Sequence, residues 1–134
     1  MMRLNHYLHF LGQCEEALTL YQRVLGGEIT AMMKVKGSPA EGHYGHDGAN
    51  DVLHGCLSLE GCDIMASDAP KQFYTKPNGA HICIVLDNED EAERIFNALS
   101  DGGEIAMPFE ATFFAKKYAM FNDRFGTRWM IHCA

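Results

Sequence analysis

Seven histidines, five cysteines and a glutamate set among phenylalanines are the side chains of this 134-residue chain best suited to chemistry. His6 and His81 lie 75 residues apart, an interval at which other parts of the sequence also repeat. Imidazoles at duplicated positions on neighbouring strands can converge on one divalent ion. Glu110 belongs to Met107-Pro108-Phe109-Glu110-Ala111-Thr112-Phe113-Phe114, read as a loop before a strand. A carboxylate held among Phe109, Phe113 and Phe114 would be desolvated, the condition that prepares a general base. The plainer reading of Glu110 is a surface glutamate.

His43-x-x-His46, with Asp47 and Asp51 nearby, offers ligand types at a feasible spacing. It lies in a glycine-rich stretch that reads more simply as a solvated loop. His54 shares one side of an alternating strand with Cys56 and Ser58, and a hydrogen-bonded structural histidine is its default reading. His9 and His132 admit either role. Cys56 and Cys83 fall near His54 and His81 without a third orienting group, so no nucleophile arrangement stands out. The cysteines (Cys14, Cys56, Cys62, Cys83, Cys133) are odd in number and form no Cys-x-x-Cys pair, which favours reduced thiols in core-like segments.

The elements that must position these groups come twice. Residues 4–11 read as a strand and Gly12 ends it. From Cys14 to Leu25 the apolar period is helical, with Ala17, Leu18, Tyr21, Val24 and Leu25 on one stripe. Gly26-Gly27 closes that helix and residues 28–36 form a strand. The same order returns as a strand over residues 80–87, a helix capped by Asp87 or Asn88 with Ala92, Ile95, Phe96 and Leu99 inward, and a stop at Gly102-Gly103. Glu16-Ala17 and Glu91-Ala92 match at an offset of 75, whereas Gly26-Gly27-Glu28-Ile29 and Gly102-Gly103-Glu104-Ile105 match at 76. This shift places one extra residue in the second helix. A hairpin follows each unit: residues 52–60 and 62–67 in the first, 114–122 and 127–133 in the second. The expected fold is therefore α+β, with tandem βαβββ modules forming a curved mixed sheet around a concave cup. Half one spans residues 4–67, half two 80–133, and residues 68–79 link them.

Charge and hydropathy narrow the function. Eleven basic against eighteen acidic residues give a net charge of −7, and the sequence pI is near 5.4. Such a chain lacks the basic patch that displaces counterions from nucleic acid. No apolar run reaches the ~18–20 residues needed to cross a bilayer, and no signal-like stretch opens the chain, so a cytoplasmic location is expected. A cup of this kind suits a small-molecule ligand.

The sequence resembles the vicinal-oxygen-chelate superfamily of glyoxalases, bleomycin-resistance proteins and extradiol dioxygenases, and within it the PhnB-like branch. The carrying residues are Tyr7-x-x-Phe10-x-Gly12-x-Cys14-x-Glu16-Ala17, Tyr21-Gln22-x-x-Leu25-Gly26, Asp63-Ile64-Met65-x-Ser67-Asp68 and Asp123-x-Phe125-Gly126-x-x-Trp129-Met130-Ile131. The resemblance implies paired βαβββ modules, a homodimer, and a mouth loop carrying Glu110. It also implies a ligand cup lined by His6, His54, Met65, Ser67, His81, Tyr118 and Met130. A methyltransferase reading attached to that branch finds no glycine-rich nucleotide loop to support it.

Metal-dependent relatives hold one divalent ion with four ligands, two from each half. By that pattern His6 and His81 are two ligands, and Met65 and Met130 stand where carboxylates are expected. A thioether is a soft, neutral ligand, poorly suited to zinc or nickel. Three readings stay open: a metal-free cup lined by these side chains, a divalent site completed by Glu110 or Asp68, or a Cu(I) site of two His and two Met. The leading function is binding of a small, partly apolar organic molecule. The alternative is a metal-dependent lyase, isomerase or dioxygenase using His6 and His81, with Glu110 as base.

Overall fold

The computed structural model describes residues 1–44 and 50–134, the side chain of His43 excepted. Element order is β1 (His6–Phe10), α1 (Cys14–Leu25), β2 (Glu28–Lys34), β3 (Val52–Leu59), β4 (Cys62–Asp68), β5 (Ile82–Leu86), α2 (Glu89–Ser100), β6 (Glu104–Glu110), β7 (Lys117–Asn122) and β8 (Arg128–Cys133). The chain divides into two compact units, Met1–Thr75 and Lys76–Ala134. Each holds a four-stranded mixed sheet, ordered β1-β4-β3-β2 in the first and β5-β8-β7-β6 in the second. In both, the first and last strands form the parallel pair (β1 with β4, β5 with β8), the helix connects the first strand to the second, and the rest is antiparallel. No helix among the described residues is long and apolar enough to cross a membrane.

One helix covers one side of each sheet. In the first unit, Leu57, Ile64 and Ala66 are buried beneath α1 residues Ala17, Leu18 and Tyr21. Gly55 admits that approach, because a Cβ there would stand 2.7 Å from Leu18 Cδ1. In the second unit, Phe121, Trp129 and Ile131 lie beneath Ala92, Ile95 and Leu99 of α2. Trp129 has no exposed surface.

The helix starts use different chemistry. Asn88 caps α2, its Oδ1 accepting from Glu91 N at 2.9 Å. Gln13 offers α1 no such bond. The buried Asp68 carboxylate substitutes, taking Gly12 N at 2.8 Å and Cys14 N at 3.0 Å on Oδ1, and Val52 N at 2.9 Å on Oδ2. It fastens the β1–α1 turn to the start of β3. The repeated Gly-Gly-Glu-Ile has a steric cause: a Cβ on Gly27 would collide with the Ser58 carbonyl, and one on Gly103 with the Asn122 carbonyl.

Both helices have twelve residues. The extra residue behind the 76 offset therefore lies outside the second helix, in the turn that joins α2 to β6 over residues 101–103. On the other side of the helix, residues 11–13 join β1 to α1, but only residues 87–88 join β5 to α2.

Candidate functional site

Register assigns each candidate to a side of its sheet, because residues directly paired across strands share a face and neighbours alternate. In the first sheet, His6, Leu8 and Phe10 pair with Ile64, Ala66 and Asp68, the residues beneath α1. His6 is exposed at the strand's start, on the helix-covered side. The opposite, open side carries Tyr7 and His9 with Met65 and Ser67, and Cys56 in register with Met65. His54 joins them: Tyr7 Oη and His54 Nδ1 are 3.1 Å apart and the rings stack at 5.8 Å. Tyr7 also meets His9, with centroids 5.2 Å apart.

In the second sheet, Ile82, Ile84 and Leu86 pair with Trp129, Ile131 and Cys133 on the helix side. Cys83 and Val85 pair with Met130 and His132 on the open side, where Met120, Tyr118 and Asn122 lie across β7. Met107 and Glu110 continue the open face on β6. His81 directly precedes β5 and approaches Arg128, which is also on the open side, with Arg128 Nε 3.4 Å from His81 Nε2. Burial, and after it the Arg128 charge, holds the His81 imidazole below the usual histidine pKa.

The pairing of His6 with Ile64 and of Ile82 with Trp129 makes Ile82 the counterpart of His6, since Met65 and Met130 are adjacent to those partners in matching strands. The strands thus repeat at 76 while the helices repeat at 75, and a slip of one residue moves a side chain to the other face. His6 and His81 are not duplicated positions. The chemistry of the donor set does not fit a zinc- or nickel-type ion: two histidines and two soft, neutral thioethers supply no oxygen ligand. Asp68, named as a possible completing carboxylate, already receives three backbone N–H groups. Among the described residues, no group of three or more His, Cys, Asp or Glu side chains is placed to hold a metal ion.

Glu110 is an exposed residue at the end of β6, in register with Tyr118, and is not on a loop. β6 is an edge strand with irregular register between Met107 and Glu110, which accommodates Pro108. Phe109 turns to the helix side and stacks on Phe96 at 5.6 Å. Phe113 and Phe114 instead begin a ring cluster on the open side: Phe114 lies 5.1 Å from Phe113, 5.0 Å from Tyr118 and 6.0 Å from His132. Of the His43-x-x-His46 group, His46 and Asp47 lie outside the described residues, as does the His43 side chain.

No cysteine is paired in a disulfide. Burial, reinforced by Asp68, pushes the Cys14 thiol up to about 12, so it is an un-ionised core group despite its place at a helix start. The sequence reading leaves the role of His9 open, takes Tyr7 only as part of a family motif, and does not single out Arg128 or Asn78. For Tyr7 and His9 the face is readable: inward Leu8 and Phe10 imply outward Tyr7 and His9.

The Asp123-x-Phe125-Gly126-x-x-Trp129 motif is a structural turn. Asp123 Oδ1 accepts from Phe125 N at 2.9 Å and Thr127 N at 3.0 Å, and Oδ2 accepts from Trp129 Nε1 at 2.9 Å.

Known proteins agree with this architecture. Protein YjdN of Escherichia coli (strain K12) is 30% identical over 141 residues, covering 98% of this chain and 95% of its own. The crystal structure of PA1353 from Pseudomonas aeruginosa superposes with a TM-score of 0.90 at 37% identity, over 99% of this chain and 98% of that one. A PhnB protein from Bacillus cereus gives a TM-score of 0.82 at 25% identity, over 99% and 100%. A family model described as Glyoxalase/Bleomycin resistance protein/Dioxygenase superfamily matches residues 3–131. With two βαβββ units in its fold and a family match over nearly its whole length, the chain belongs to the Glyoxalase/Bleomycin resistance protein/Dioxygenase superfamily.

Proposed function

We propose that this protein binds a small, partly apolar organic molecule against the open face of its second sheet. The carrying observation is the ring cluster of Phe114, Tyr118 and His132 on the side that α2 leaves uncovered, with Phe113 fully exposed beside it. Small-molecule sites combine an apolar or aromatic lining with a few placed polar groups, and here the half-buried His132 supplies ring nitrogens as the polar tip beside the buried Tyr118. The rival, a metal-dependent lyase, isomerase or dioxygenase using His6 and His81, loses the argument from a shared offset, because those residues are not equivalent in register.

The protein acts in this reading as a cytoplasmic homodimer. Five unpaired thiols support a reducing compartment. Exposed Leu11, Met33 and Ile105 give a second copy apolar surface to bury. The test is calorimetric titration of the purified protein with a panel of small aromatic and alkyl compounds. Saturable binding that weakens at least tenfold in Phe114→Ala is expected, and equal binding by that variant would refute the site.

A further inference from the structure

Arg128 stands out on the open face of the second sheet. Its Nη1 donates to Asn78 Oδ1 at 3.0 Å and its Nε to His81 Nε2 at 3.4 Å. Arg3, Arg94 and Arg124 each close on a carboxylate, of Asp63, Glu91 and Asp101 respectively. Among the described residues Arg128 has no such partner. Glu104 lies two strands away in the same row, in register with Asn122, and makes no ion pair with it. A half-buried guanidinium held by two groups without negative charge is a prepared oxyanion site, because its planar fork can donate two parallel hydrogen bonds.

What lies beside it sets the rest of the ligand. Along β8 the same face presents Met130 and then His132, and β7 places Met120 and Tyr118 across from them. The row therefore runs from a cation, over thioethers, to the ring cluster. Its length from Arg128 to His132 is about 13 Å at ~3.3 Å per residue.

We propose that this face takes an amphipathic organic anion, its oxyanion head on Arg128 and its apolar body over Met130 and Met120 toward Tyr118 and His132. The proposal rests on the binding reading above and adds the ligand's charge and orientation. Carboxylates and phosphate monoesters share the required head chemistry.

The test titrates the full chain with 4-phenylbutyrate, its neutral amide and 3-phenylpropyl phosphate, then with alkyl homologues of each. The expected result is that at least one anion series binds about tenfold or more tightly than the matched amides, and the tighter series identifies the head group. Arg128→Gln should remove the preference while leaving amide binding in place, and Arg128→Lys should restore part of it. Amides that bind as tightly as both anions would overturn the proposal and leave the binding reading standing. Absence of binding by every series would overturn both. If Arg128→Gln fails to fold, the comparison of anion with amide on the unaltered chain decides alone.

Discussion

The Asp123 carboxylate accepts the indole N–H of Trp129 at 2.9 Å within a turn where both side chains are shut from solvent. The same carboxylate takes two backbone N–H groups, so one side chain fixes the β7–β8 turn and orients the largest residue of the second core. Removing it takes an acceptor from three donors at once. Asp123→Ala should lower stability by about 2–4 kcal/mol in denaturant unfolding, with Asp123→Asn less severe because its amide oxygen can still accept. An unchanged unfolding midpoint for Asp123→Ala would contradict that role.

Asp68 performs the corresponding task in the first unit by different partners, capping α1 and holding the start of β3. Asp68→Ala should cost about 2–4 kcal/mol and expose amides of residues 12, 14 and 52 to hydrogen exchange. Protection unchanged at these amides would show that other groups hold the turn.

Metal titration distinguishes the two faces. Because Ile82 rather than His81 corresponds to His6, zinc, nickel or manganese uptake, measured by elemental analysis, should not depend on His6 and His81 together. The double variant His6→Ala, His81→Ala should match the parent. One ion per chain that either substitution releases would restore the shared site.

His81 gives a pH signature. Its folded pKa lies below the ordinary histidine value, so the unfolded chain binds its proton more readily. Stability should therefore be fully present above about pH 6.5 and fall as pH drops through that value toward the folded pKa. Urea unfolding between pH 8 and pH 5 should show a shallower acid-side decline in His81→Asn. Parallel profiles would place the proton uptake elsewhere.

Much of the fold could be read from the chain because its signals were redundant. Periodicity from Cys14, closure at Gly26 and Gly27, and the alternation around Gly61 each identified an element whose partner repeated it. The site was less legible because a face depends on single-residue register. The turn before α1 is one residue longer than that before α2, and the turn after α2 absorbs the compensation. Helices that repeat at 75 thus conceal strands that repeat at 76, and the 75 interval pairs His6 with a residue on the other side of its own sheet. Glu110 reads as a loop residue for a local reason: Pro108 looks like a strand breaker, yet an edge strand tolerates it. Arg128 could not be found from sequence, since its lack of a carboxylate partner is a property of the assembled sheet.

The most direct test of the binding face is methyl NMR of protein labelled at methionine, titrated with the aromatic and alkyl panel. Met107, Met120 and Met130 share that face, whereas Met1 and Met2 lie before β1. Saturable shifts at those three methyls, with the first two unmoved, are the expected result. Saturable binding that leaves all three unshifted would contradict the assignment of the ligand to the second sheet.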